Sequence, residues 1–225
     1  MSAERRPRVA VVDYGAGNLV SIEQALTSVG ADVTVAVDRA ALRDADALLV
    51  PGVGAAAPAM ARLERQGLVE PIRDWIAADR PFLGICLGLQ LLFEGSDEDG
   101  ATTLGVLRGR TSRLEAAPTL PHIGWNQVHR TRDHPLFDGI PDGADLYFVH
   151  SYAGVPAAGA EDVVLGRTEH GRPFVSAVAR GALLGVQFHP ERSGTDGLRL
   201  LANFVGLVRG ASSDRMGRAP REVAV

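Results

Sequence analysis

One cysteine, Cys86, stands in 225 residues. A lone thiol rules out an internal disulfide, which suits a reducing compartment, and leaves no paired-cysteine ligand set for zinc. Long apolar runs are missing too. Stretches such as Ala47–Val50 and Leu198–Val208 are short or broken by polar residues, under the roughly 20 residues of a membrane span. The N-terminus, MSAERRPRVAVVD, is charged and passes straight into a strand-like segment. It lacks the apolar region and small-residue cleavage site of a signal peptide. These absences read as a cytoplasmic chain. No long basic run stands out and the net charge is −4, so a nucleic-acid partner is not expected. A Walker-type phosphate loop and a His-x-x-x-His helix are also absent, so neither a metal nor a cofactor is expected.

What remains is ordinary globular material, 46% hydrophobic and 22% charged, long enough to bury a sizeable core in one large domain. The first half alternates strand and helix. Arg8–Asp13, Asp32–Val37, Ala45–Val50 and Pro81–Ile85 read as strands. Asn18 caps a helix carrying Leu19, Ile22, Leu26 and Val29 on one face, with Gly30 as its stop. Helices are predicted over Pro58–Arg65 and Leu68–Ala78, parted by Gly67, and another opens at Leu87–Phe93. Near-continuous apolar strands alternating with helices predict an α/β fold, a mostly parallel sheet covered on both faces. Closer-set strand-like runs follow: Gly105–Leu114, Ile123–Val128, Asp145–Tyr152, Val163–Thr168, Phe174–Ala179 and Leu183–Phe188. They read as antiparallel strands added to that sheet. A last helix is expected over about Thr195–Val208. The domain is placed at residues 1–210, and residues 211–225, polar and without periodicity, are expected to be a disordered tail.

The sharpest chemical signal is Gly84-Ile85-Cys86-Leu87-Gly88, between a predicted strand and a predicted helix. It is a nucleophile elbow with sulfur as the nucleophile. A sharp turn there lifts the side chain clear of the sheet, and flanking side chains would clash, hence the glycines. The helix N-terminus behind it favours the thiolate. By itself a lone cysteine is more often a small buried hydrophobe. A base changes that balance, and Gln187-Phe188-His189-Pro190-Glu191 supplies one. His189 ends a predicted strand and Glu191 can orient its imidazole. The other histidines, His122, His129, His134, His150 and His170, have no such setting. Pro51-Gly52-Val53-Gly54 follows the third strand, where its amides, with that of Leu87, can form an oxyanion hole. Gly15-Ala16-Gly17-Asn18-Leu19-Val20 has the outline of a dinucleotide fingerprint, but Val20 occupies the place of the third glycine, which weakens it.

Taken together, PGVG, GICLGLQLL and GVQFHPE resemble the class I glutamine amidotransferases, a flavodoxin-like family, in the order Cys, His, Glu and over about residues 8 to 208. DYGAGN, PHIGWN and YFVHSY resemble the signatures of the branch serving histidine biosynthesis. The likeness implies that Cys86, His189 and Glu191 form a catalytic triad. It implies that Gly52, Val53 and Leu87 hold the oxyanion, and that Gly54, Gln90, Glu94, His150, Ser151 and Tyr152 seat L-glutamine. It also implies a heterodimer with a (β/α)8-barrel cyclase subunit, contacted through Asn18, Trp125, Tyr147 and Arg192. Where the family usually has Lys after HPE, this chain has Arg192, which keeps the charge and changes the geometry of a partner salt bridge. Other readings stay open on the residues: a glutaminase for another acceptor, as in anthranilate or pyridoxal phosphate synthesis, a cysteine hydrolase of other substrates, or a non-catalytic binding module.

Overall fold

The computed structural model describes residues 5–217, and side chains as far as residue 211. The elements in chain order are β1 (Arg8–Val12), α1 (Leu19–Ser28), β2 (Asp32–Ala36), β3 (Ala47–Val50), α2 (Ala56–Arg65), α3 (Val69–Ala77), β4 (Phe82–Ile85), α4 (Leu87–Gln90), β5 (Gly109–Arg113), β6 (His122–Arg130), β7 (Ala144–His150), β8 (Tyr152–Pro156), β9 (Val164–His170), β10 (Arg172–Arg180), β11 (Leu183–Val186) and α5 (Gly194–Gly217). A nine-stranded sheet has the order β2-β1-β3-β4-β11-β10-β9-β6-β7. The strands from β2 to β11 in that order are mutually parallel. Those beyond β11 are antiparallel. β5 and β8 pair apart from this sheet as an antiparallel ribbon.

Side-chain alternation explains the near-continuous apolar strands. Val9 and Val11 of β1 face one core, with Ile22 and Leu26 of α1 and Leu201 and Phe204 of α5. Ala10 and Val12 face the other, with Met60 and Leu63 of α2 and Ile72 and Trp75 of α3. A strand covered on both faces must be apolar at every position. Among the described residues no helix is long and apolar enough to cross a membrane.

Four expected elements differ in extent. The helix after Cys86 stops at Gln90 rather than Phe93: Leu92 N and Phe93 N bond Leu89 O and Gln90 O, three residues back, and the chain's next carbonyls bond a distant segment. Leu91 O accepts from Leu104 N at 2.9 Å, Phe93 O from Gly105 N at 2.8 Å, and Leu92 O from Val106 N and Leu107 N. The same bonds use the amides of residues 104–107, so the strand expected from Gly105 begins only at Gly109. The run Asp145–Tyr152 divides at Ser151: β7 pairs with β6, whereas β8 pairs with β5. The last helix continues to Gly217, past the expected end near Val208. The remainder of the expected tail, residues 218–225, lies outside the described residues.

Candidate active site

Four neighbouring parallel strands, β1, β3, β4 and β11, end on the same edge of the sheet. The segments leaving them are Asp13–Asn18, Pro51–Gly54, Cys86 and Gln187–Glu191, so the sheet brings together motifs about a hundred residues apart. Ligands of open α/β sheets bind at such an edge.

Cys86 has φ +53° and ψ −108°, a strained conformation for a residue with a side chain. Its surroundings enforce it. Cys86 N donates to Val186 O at 2.8 Å, and Cys86 O accepts from Leu89 N and Gln90 N. The flanking glycines are sterically required. A Cβ on Gly88 would lie 1.8 Å from Val50 O, and one on Gly84 would lie 2.6 Å from Gly88 O. The elbow is therefore pressed against both β3 and its own following turn. The helix behind it has only four residues, so its dipole supports a thiolate less than the sequence suggested. The support comes from side chains.

His189 Nδ1 lies 2.8 Å from Glu191 Oε1, in side chains 6% and 2% exposed. A carboxylate so placed fixes the tautomer that carries its proton on Nδ1 when the ring is neutral. Burial pushes the imidazolium pKa down; hydrogen bonding and charge attraction from Cys86 and Glu191 outweigh it and hold the pKa up at about 10. Nε2 is buried and has no fully formed hydrogen bond, which leaves its proton free for transfer. The sulfur also receives Gln187 Nε2 at 3.5 Å.

Cys86 opens into a cleft of about 270 Å³ whose walls include Val53, Gly54, Gln90, Glu98, His150, Ser151 and Tyr152. A larger recess of about 520 Å³ lies by Arg39, Arg43 and Trp75 but holds no nucleophile, so chemistry rather than size selects the site. Glu94 is not in the cleft wall. Its Oε2 accepts from Gly109 N at 2.8 Å at the start of β5. The carboxylate on the cleft is Glu98, four residues further on. Partial burial, and then Asp99, push its pKa up. Sequence reasoning missed Glu98, although it sits in the acidic run Asp97-Glu98-Asp99 just beyond the elbow. It also missed Gln187, and Tyr14, whose hydroxyl donates to Pro51 O at 2.7 Å and stands where a Cβ on Gly52 would fall.

The amides expected at the oxyanion are not presented in this state. Leu87 N donates to Gly52 O at 3.3 Å. A trans peptide points its C=O and N–H in opposite directions, so the Val53 N–H faces away from the elbow. Behind the cleft, His150 Nε2 and His122 Nδ1 are 3.1 Å apart, and His150 Nδ1 is 2.9 Å from Tyr152 O. Burial, with the neighbouring histidines adding, pushes His122 down to about 4 and His150 to about 3. Both rings are therefore neutral at pH 7. Of the residues expected at a partner surface, Trp125 is 56% exposed and meets Tyr147 edge-on at 6.1 Å. The Arg192 guanidinium lies 4.1 Å from the Tyr147 ring centre. Asn18 is exposed at the start of α1, where its Oδ1 accepts from Ser21 N.

The fold is that of an open α/β enzyme with a cysteine on a strand-to-helix elbow and a buried His–Glu pair on the next strand's end. The family model for class-I glutamine amidotransferases matches residues 10–207, and the chain belongs to that family. It is 50% identical to the imidazole glycerol phosphate synthase subunit HisH of Moorella thermoacetica, over 91% of this chain and 97% of the relative. It is also 50% identical to the protein of that name from Symbiobacterium thermophilum, over 89% and 94%. A structure of PurLQS from Thermotoga maritima shares the fold with a TM-score of 0.72 at 19% identity, covering 91% of this chain and 100% of that one.

Proposed function

We propose that the chain is the glutamine-hydrolysing subunit of imidazole glycerol phosphate synthase, acting in the cytoplasm as a heterodimer with a (β/α)8-barrel cyclase. The observation that carries the chemistry is Cys86 on a strained elbow beside an imidazole that Glu191 holds at 2.8 Å. Cys86 Sγ attacks the side-chain amide carbon of glutamine. The tetrahedral oxyanion takes the Leu87 amide and, once the Gly52–Val53 peptide turns over, the Val53 amide. His189 Nε2 gives its proton to the leaving nitrogen, ammonia departs and a thioester remains. His189 then takes a proton from water, the hydroxide attacks the thioester, and glutamate leaves as the thiolate reforms. Glu191 orients the ring throughout. Gln90, Gly54 and the His150–Tyr152 segment seat the substrate, and Glu98 matches its ammonium group.

Ammonia passes to the cyclase. There it reacts with a phosphoribulosyl-aminoimidazole carboxamide nucleotide, yielding imidazole glycerol phosphate and aminoimidazole carboxamide ribotide. Trp125, Tyr147, Arg192 and Asn18 face that partner. The test is co-purification with the cyclase of the same organism, followed by a glutaminase assay of the complex. Stable association with a different ammonia-accepting enzyme instead would redirect the assignment to that acceptor.

A further inference from the structure

A fully buried glutamine, 0% exposed, leaves the apolar strand β11 one residue beyond its end. A buried amide is costly unless its groups are paired, and both side-chain hydrogen bonds of this one lead to the site. Gln187 Nε2 donates to Cys86 Sγ at 3.5 Å. Gln187 Oε1 accepts from Gln90 Nε2 at 3.1 Å. Gln90 Nε2 also donates to Tyr152 O at 2.7 Å. These bonds determine which end of the Gln187 amide faces the sulfur. Gln90 has two N–H groups; the Tyr152 carbonyl takes one, and the other points at Gln187. Gln187 must answer with its oxygen, which leaves its nitrogen for Cys86. The reverse orientation would set two NH2 groups against each other and an oxygen lone pair against a thiolate.

We propose that Gln187 is a donor that stabilises and aims the Cys86 thiolate, and that Gln90 sets its orientation from the wall of the glutamine cleft. The reading rests on Cys86 being the nucleophile. The sulfur then has two polar neighbours, both on the segment leaving β11. His189 supplies a transferable proton, and Gln187 supplies an N–H that never leaves. When His189 gives up its proton to ammonia and takes another from water, the Gln187 donor still holds the sulfur at the attacking angle.

The experiment is alkylation of the full-length chain with iodoacetamide, followed by intact mass from pH 5 to 10. With one cysteine, each adduct reports on Cys86. Gln187→Met keeps the side-chain length and removes the donor. Its alkylation profile is expected to move up by about one pH unit, or about tenfold in rate at pH 7, for the loss of a hydrogen bond to a charged sulfur. With the cyclase and its ligand present, kcat should fall about tenfold while KM stays within about twofold, because the lost contact is to the nucleophile and not to bound glutamine. If Gln187→Met does not give a wild-type circular dichroism spectrum, Gln187→Glu takes its place. It matches the native shape, sets a carboxylate by the sulfur and should shift the profile further. A folded variant whose profile overlays that of the wild type overturns the proposal, and so does a loss confined to KM. If Cys86 were not the nucleophile, Cys86→Ala would retain glutamine-dependent activity whatever the alkylation profile did, so the two failures are distinguishable.

Discussion

Adding the cyclase and its nucleotide ligand to the isolated subunit should raise glutamine turnover by at least roughly 10²–10³-fold. The magnitude follows from the resting oxyanion site. Leu87 N is spent on Gly52 O at 3.3 Å, and the same peptide carries the Val53 N–H away from the elbow. One missing oxyanion donor typically slows acyl transfer by roughly 10²–10³-fold, and two missing donors need not multiply. Turning over a single peptide corrects both defects, because it withdraws the carbonyl from Leu87 and brings in the Val53 amide. The resting position already requires glycine at 52, since a Cβ would meet the Tyr14 hydroxyl. Tyr14 and Gly17, on the segment leaving β1, pack against Pro51 and Gly52, so a partner seated on the exposed Asn18 can act on that peptide. The assay is steady-state glutaminase kinetics for the subunit alone, with cyclase, and with cyclase plus ligand. The gain should appear in kcat, since the donors act on charge formed in the transition state. Full turnover by the lone subunit would refute the gating and leave the proposed triad untouched.

Cys86→Ala should abolish synthesis from glutamine and spare synthesis from ammonium salts; loss of both would mean that Cys86 is structural. Gly88→Ala should cost roughly 1–3 kcal/mol in urea unfolding, because its Cβ would meet backbone, Val50 O at 1.8 Å, and an unchanged midpoint would show that β3 can give way. Stability should fall as pH drops from 6.5 towards 5, above the usual carboxylate range. His122 and His150, held near 4 and 3 in the folded chain, stay neutral there while the unfolded chain takes up their protons. His189 has the opposite sign. Raised to about 10, it stabilises fully below 6.5, and that contribution is lost as pH rises through 10. A urea midpoint that stays flat between pH 6.5 and 5 would contradict the buried neutral pair.

The parallel sheet and the elbow were legible in the chain because both impose local rules. A strand buried on two faces is apolar at each position, as in Ala47–Val50, and a sharp strand-to-helix turn around Cys86 tolerates no side chain at positions 84 or 88. Proline and an acid after His189 marked that histidine among six by their spacing alone. Long-range competition for hydrogen bonds left no such trace. The helix after Cys86 tightens to three-residue bonding at Leu92 and Phe93, residues 104–107 bond the carbonyls that follow it, Glu94 turns to β5 and Glu98 is left on the cleft. Gln187 reads in sequence as one more residue after a strand. Only the parallel pairing of β4 with β11 sets its amide against the Cys86 sulfur. Whether the Gly52 carbonyl or the Val53 amide faces Leu87 depends on one peptide plane, and that plane is set by the tertiary contacts of Tyr14, Gly17 and Leu87 rather than by any residue's own preference.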